Sequence, residues 1–365
     1  MKKKVLALLM VVAMVAAGLA ACGGDTKETK AETKAETKAE TKAETKAETT
    51  AETKAAETKA EAGSEDLGDV SDIKIAVLLK PVSNEYWLSM QEGIEEWAKA
   101  NGVAVDVYSA ESEENIAGQL EQMENIISKD YDAICAAPLS ASNLVEGVAK
   151  AAEKGIPVVN VDESIDFEAV QAAGASMVGL YTTDNVKVGA KAGEYICDTI
   201  GEGQVAIIEG TAGNVTSQNR SKGCSDYIDG VDGVEVVAKQ PGDWDRMTSL
   251  DVATNLMQTY PDLKAFYCAN DTMALGVYEA VVNANKQDQI IVVGTDAVQG
   301  AKESVANGEM AATVGQDNVG IGIACVKLAI KAVQDGWKAD PSAEIPTEYI
   351  DSFLVTKDNA ADYLK

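Results

Sequence analysis

The sequence predicts an α/β protein: two doubly wound parallel-sheet lobes preceded by a disordered tether. Three observations lead there. From Ile73 onward, short apolar runs alternate with amphipathic stretches of helical length. The runs are uninterrupted rather than alternating, as strands covered on both faces of a parallel sheet are. The alternating region, about 290 residues, is too long for one such core and right for two.

Taken in order, the chain opens on Lys2, Lys3 and Lys4, then an apolar run Val5–Ala17 and the segment Leu19-Ala20-Ala21-Cys22. The run is too short for a stable span and reads as a secretory leader, residues 1–21. A cysteine directly after small residues resembles a bacterial lipobox, which implies lipidation at Cys22 and a lipid-anchored, extracytoplasmic location. Residues 22–71 are dominated by Ala-Glu-Thr-Lys. A period of four stacks like charges at i,i+4, and threonine lowers helix propensity, so a soluble tether is expected. Its reach as a coil is on the order of 40 Å.

The apolar runs that predict strands are Ile75–Leu79, Val103–Val107, Ala133–Ala137, Pro157–Val161, Met177–Tyr181, Val205–Ile208, Val234–Val237, Ala265–Cys268, Ile290–Val293 and Ala311–Val314. Helices are expected over Glu85–Asn101, Ile116–Ser128, Ser142–Lys154, Val186–Ile200 and Asn318–Asp335. No internal repeat stands out in this region.

Composition excludes several functions. The formal charge is −28, and −31 once the leader's three lysines are lost, which repels nucleic acid. There is no histidine, which removes Ser-His-Asp and Cys-His catalysis and imidazole metal sites. Cys135, Cys197, Cys224, Cys268 and Cys325 lack metal or redox spacing and read as buried thiols. No cofactor and no metal are expected.

In open α/β sheets, ligands bind beyond the carboxyl ends of the strands. Polar residues gather there. Lys80, Asn84 and Trp87 follow the first run, and Asp162 and Glu163 follow Pro157–Val161. Asn270 and Asp271 follow Ala265–Cys268. Asp296 and Gln316 end the next two runs. Arg220 is expected near a helix start after Val205–Ile208, and Trp244 lies in a turn-rich segment. Carboxylates, amides, a guanidinium and two indoles suit a carbohydrate, whose hydroxyls donate and accept and whose C–H faces stack on rings. Structural readings compete: Asp271 and Thr272 are expected to cap a helix, and loop tryptophans often belong to a core. Asp162 and Glu163 also invite a two-carboxylate glycosidase. Neighbours in an extended segment point to opposite faces, however, so catalysis is not expected.

The region Ile73–Lys357 resembles the periplasmic ribose/galactose-type sugar-binding proteins, and their allose-binding subgroup most. The segments that carry the resemblance include Leu79–Trp87, Asn160–Glu163, Gly242–Arg246, Tyr267–Ala274 and Val293–Asp296. It implies the type 1 periplasmic binding protein fold, its lobes joined by a three-strand hinge, with one lobe from 72–183 and 317–350 and the other from 184–316 and 351–365. Crossovers are expected near Thr183, Gln316 and Asp351. Family contacts map onto Lys80, Asn84, Tyr86, Trp87, Asp162, Glu163, Arg220, Trp244, Asn270, Asp296 and Gln316. The resemblance further implies a monomeric substrate-binding lipoprotein. It would hold D-allose or a related aldohexose or ribose between the lobes and deliver it to an ABC transporter permease with a separate ATPase subunit. The alternative is a receptor for a chemoreceptor or sensor kinase. Glu85-Tyr86 replaces the family's usual Pro-Phe and adds a hydroxyl to the site.

Overall fold

Each of the ten predicted apolar runs forms a strand, and with two further strands near the end of the chain they assemble into two six-stranded sheets. The structure, a computed structural model, describes residues 67–364; the leader, Cys22 and the tether up to residue 66 lie outside them.

In the first lobe the elements run β1 (Lys74–Leu79), α1 (Glu85–Asn101), β2 (Ala104–Ser109), α2 (Ile116–Ile127), β3 (Ala133–Ala136), α3 (Val145–Glu153), β4 (Val158–Val161), α4 (Phe167–Ala172) and β5 (Gly179–Thr183). The second lobe follows with α5 (Asn185–Ile200), β6 (Gly203–Glu209), α6 (Val215–Ile228), β7 (Val234–Pro241), α7 (Arg246–Thr259), β8 (Leu263–Cys268), α8 (Asp271–Asn283), β9 (Ile291–Asp296), α9 (Gln299–Ala306) and β10 (Ala312–Gly315). The chain then returns to the first lobe with α10 (Asn318–Gln334) and β11 (Thr347–Ile350), and ends in the second with β12 (Phe353–Thr356).

The first sheet is ordered β11-β5-β4-β3-β1-β2 and the second β12-β10-β9-β8-β6-β7. Both therefore contain the 2-1-3-4-5 doubly wound order, whose crevice opens beyond the carboxyl ends of the strands. All pairings are parallel except β10 with β12. The wholly parallel expectation is corrected at that edge. Only two residues separate β11 from β12, too few for a parallel crossover within one sheet, so the chain switches sheets and runs back along β10.

Central strands are buried along their length, Ala133–Ala136, Val158–Val161 and Ala312–Gly315 among them. All five cysteines among the described residues are buried and unpaired, packed as small apolar groups.

Helices α5 and α6 cross at backbone distance. A Cβ added at Gly223 would stand 2.0 Å from the Val186 carbonyl oxygen, and one at Gly189 would stand 2.0 Å from that of Arg220. Gly223→Ala must push the helices apart. It is expected to cost about 1–3 kcal/mol of stability and to shift α6, which carries Arg220. Denaturant unfolding checks the first effect, and stability equal to wild type would show that the crossing can relax freely.

Candidate functional site

The carboxyl ends of β1, β4, β6, β8 and β9 face one another across the lobes and enclose a small cavity of about 30 Å³. A larger, open depression over Pro81–Ser83, Ser109–Glu111 and one side of α2 contains no buried polar atom without a partner. The smaller cavity is lined by such an atom, Trp244 Nε1, and is the candidate site.

Lys80 follows β1 directly and is 2% exposed, with its ammonium 3.2 Å from Glu163 Oε1 and 3.0 Å from Glu113 Oε2. The same ammonium lies 5.8 Å from the Trp87 ring centre and 5.9 Å from that of Trp244. Burial pushes Lys80 down, but the Glu163 and Glu113 charges outweigh it and hold the group above its ordinary range. Glu113 is raised, chiefly by burial.

Several strand-end amides act as helix caps. Asn84 Oδ1 accepts from Tyr86 N at 3.0 Å, Asn214 Oδ1 from Ser217 N at 2.8 Å, and Asn270 Oδ1 from Met273 N at 2.9 Å. Capping and cavity lining are compatible, because the cap uses the oxygen and leaves the NH₂. Asn214 Nδ2 in turn donates to Glu163 Oε2 at 2.9 Å, across the lobes. The expectation that Asp271 caps a helix is corrected: Asn270 is the cap, and Asp271 is the first residue of α8.

Asp162 has φ 55°, in the left-handed region. The premise of an extended segment therefore fails, and both Asp162 and Glu163 line the cavity. Asn160 fixes that loop: its Nδ2 donates to the Ala136 and Glu163 carbonyls and its Oδ1 accepts from Ile165 N. Burial, then the Glu163 charge, raises Asp162 from 3.8 to about 7, with Arg220 opposing.

Arg220 lies in the second turn of α6 rather than at its start. Its Nε donates to Asn185 Oδ1 at 2.8 Å, and its Nη1 to the Ala269 carbonyl at 2.6 Å and to Asp296 Oδ1 at 3.2 Å. Asp296 is raised by burial despite Arg220. Trp244 sits at φ 61°, its ring laid so closely on Gly210 that a Cβ there would be 2.1 Å from it. Tyr86 and Trp87 meet edge to face at 5.0 Å.

Ten of the eleven predicted residues line the cavity. Gln316 does not; its Nε2 donates to Asp296 Oδ1 at 2.6 Å from beside it. Glu113 and Thr216 line the cavity and were not anticipated. Glu113 stands after β2 in the strand-end position that marked the others. Thr216 opens a helix whose buried face is polar, so no apolar pattern flagged it. Trp244 Nε1 is buried there without a hydrogen-bond partner, as is Gln316 Oε1 beside it, and the buried Tyr86 hydroxyl and Asp162 carboxyl have at most each other. No group of three or more metal-ligating side chains occurs among the described residues.

Comparison with known proteins identifies the family. The chain is 46% identical over 285 residues to the D-allose-binding periplasmic protein of Escherichia coli (strain K12), covering 77% of this chain and 91% of that protein. It is 33% identical over 269 residues to a ribose import binding protein of Bacillus subtilis (strain 168), covering 73% and 83%. A solved ABC transporter periplasmic solute-binding protein from Actinobacillus succinogenes 130z, with bound D-allose, superposes with a TM-score of 0.75 at 31% identity. That match covers 80% of this chain and 100% of that one. The periplasmic binding protein domain model matches residues 75–337, and the chain belongs to that family of extracytoplasmic binding proteins, which are not enzymes.

Proposed function

We propose that this chain is the substrate-binding lipoprotein of a sugar ABC importer, holding D-allose or a closely related aldose between its lobes. One observation carries the reading: the Tyr86 hydroxyl, Asp162 Oδ1 and Trp244 Nε1 are buried in one cavity, where Tyr86 and Asp162 have at most each other and Trp244 Nε1 has no partner in the protein. Each buried group left unpaired costs roughly 1–3 kcal/mol, and a polyhydroxyl ligand supplies donors and acceptors alike. The charges argue for a neutral one. Lys80 and Arg220 are engaged by protein carboxylates. The four acids in the lining, Glu113, Asp162, Glu163 and Asp296, disfavour sugar phosphates and sugar acids. The similarity to D-allose and ribose binders supports the same choice.

The mechanism is closure: sugar bridges the lobes, shifts the population to the closed form, and the permease reads the closed surface. Lipidation at Cys22 and the tether that follows it hold the monomer at the membrane. The tether expected to run to residue 71 stops short of Leu67, because Leu67 and Val70 pack against the core and Gln334 Nε2 donates to the Leu67 and Asp69 carbonyls. Calorimetry with D-allose, D-ribose, D-glucose, D-galactose and D-xylose tests the assignment. A saturable heat for D-allose or a close relative is expected, and silence across all five sugars would sink it.

The buried acids make ligand-free closure depend on pH. Burial, then the Glu163 charge, raises Asp162 from the ordinary 3.8 to about 7 where Arg220, Tyr86 and Asp296 also enclose it, and hydration of an opened cleft would return it toward the ordinary value. Between those values the closed form binds more protons than the open one, so closure weakens as pH rises through the window. Asp296 and Glu113, also raised, act in the same direction. Small-angle scattering of the ligand-free protein is expected to give a smaller radius at pH 5 than at pH 8. A larger radius at pH 5 would contradict this.

A further inference from the structure

Asp271 is fully buried, does not line the cavity, and is not needed to cap α8. Its carboxylate instead ties three elements together. Oδ2 accepts from the Val298 backbone N–H at 3.0 Å, and Oδ1 accepts from the Thr313 hydroxyl on β10 at 2.7 Å. The Thr313 oxygen in turn accepts from the Ala297 N–H at 3.1 Å. Two consecutive amides of the β9–α9 turn are thus fixed, one directly and one through Thr313. Gly294 makes the room: a Cβ there would lie 2.0 Å from Asp271 Oδ1.

The turn so held is strained. Asp296 has φ 117° and Ala297 has φ 55°, values that residues other than glycine keep only where their surroundings over-determine them. That backbone aims the Asp296 carboxylate at Arg220 on the cavity wall and at Gln316 beside it.

We propose that Asp271 is a positioning residue for ligand binding, which locks the Asp296–Val298 turn through Thr313 and Val298 so that Asp296 presents its carboxylate to the ligand. The proposal rests on the sugar-binding reading of the cavity. Burial, and then the neighbouring Asp296 charge, push the Asp271 carboxyl well above the ordinary carboxylate range. A group so costly to bury is explained by the turn it holds.

Calorimetry with D-allose and D-ribose on the full chain tests this, comparing wild type with Asp271→Asn, Thr313→Val, Thr313→Ser, Asp296→Asn and the Asp271→Asn/Asp296→Asn pair. Leaving one of these buried amides unpaired should weaken binding by about tenfold in Asp271→Asn and roughly fivefold in Thr313→Val. Thr313→Ser keeps the hydroxyl and should stay within about twofold of wild type. Because Asp271 acts through Asp296, the double variant should bind within about twofold of Asp296→Asn alone. A purely structural role would instead give additive losses and no rescue by serine, and either result overturns the proposal. If Asp271→Asn does not fold, Thr313→Val with Asp296→Asn forms the same cycle. Hydrogen exchange adds a ligand-free readout: faster exchange at Ala297 and Val298 in Thr313→Val supports the lock, and unchanged exchange overturns it. A wild type silent to every sugar would fell the sugar reading and this proposal together. A wild type that binds, with Asp271→Asn and Thr313→Val both unaffected, would fell this proposal alone.

Discussion

Arg220→Ala is expected to lower affinity for the bound sugar by about a hundredfold, since truncating one member of a buried, hydrogen-bonded charge pair costs roughly 2–5 kcal/mol and each 1.4 kcal/mol is tenfold. The loss has two parts. The variant removes a charged donor from the cavity wall. It also strips Asp296 Oδ1 of its guanidinium, the Ala269 carbonyl of its partner and Asn185 Oδ1 of another. Asp296 is already raised by burial and would be driven further toward the neutral acid. Arg220→Lys should rescue little. The native contacts run in different directions from Nε and Nη1, and a single ammonium cannot meet Asn185, Ala269 and Asp296 together. Calorimetry with D-allose checks affinity, and circular dichroism checks that the fold is retained. A folded Arg220→Ala protein that binds within threefold of wild type would remove Arg220 from the site.

How far the site could be read from the sequence depends on the physical form of each signal. Strand ends were readable because central strands are apolar throughout, so the first polar residue after each run stands out; Lys80, Asp162 and Asp296 were found that way. Glu113 follows β2, whose strand is only half buried and whose polar end is less abrupt. Helix α6 gives no amphipathic pattern because its buried face is Thr216, Ser217, Arg220, Ser221, Gly223, Cys224 and Ser225. It packs by backbone proximity and hydrogen bonds, which hydrophobic periodicity does not register. The conformation of Asp162 was hidden for a different reason. A left-handed φ outside glycine is imposed by tertiary contacts, here the Asn160 bonds, and not by local preference. The matching 2-1-3-4-5 order of the two sheets was also invisible, since it resides in which strands pair and leaves no repeat in the residues. The edge strands β11 and β12 are only four residues each, the first half exposed and the second only partly buried, so Thr347–Thr356 suggests only a crossover.

Lys80→Met should produce the largest loss of stability among single changes in the cavity, about 3 kcal/mol, because removing one partner of a buried ion pair strands the other charges. Lys80 is 2% exposed and its ammonium serves two carboxylates, Glu163 and Glu113, at 3.2 and 3.0 Å. Methionine has nearly the volume of the lysine side chain's aliphatic stem, so the deficit isolates the charge rather than a cavity. Glu163 keeps one donor, Asn214 Nδ2. Glu113 has no comparable second donor among its hydrogen bonds and ion pairs, and without Lys80 it loses the charge that opposes its burial. Its folded-state pKa, already raised, must rise further. A carboxyl raised in the folded state binds more protons there than in the unfolded chain, so it lowers stability as pH climbs from the unfolded toward the folded pKa. The deficit of Lys80→Met relative to wild type is therefore expected to be larger at pH 8 than at pH 5, where Glu113 can hold its proton. Urea unfolding of both proteins at the two pH values measures it. Equal deficits would mean that the carboxylates find other partners or water when the ammonium is gone, and that the Lys80 cluster is not what holds this wall of the cavity together.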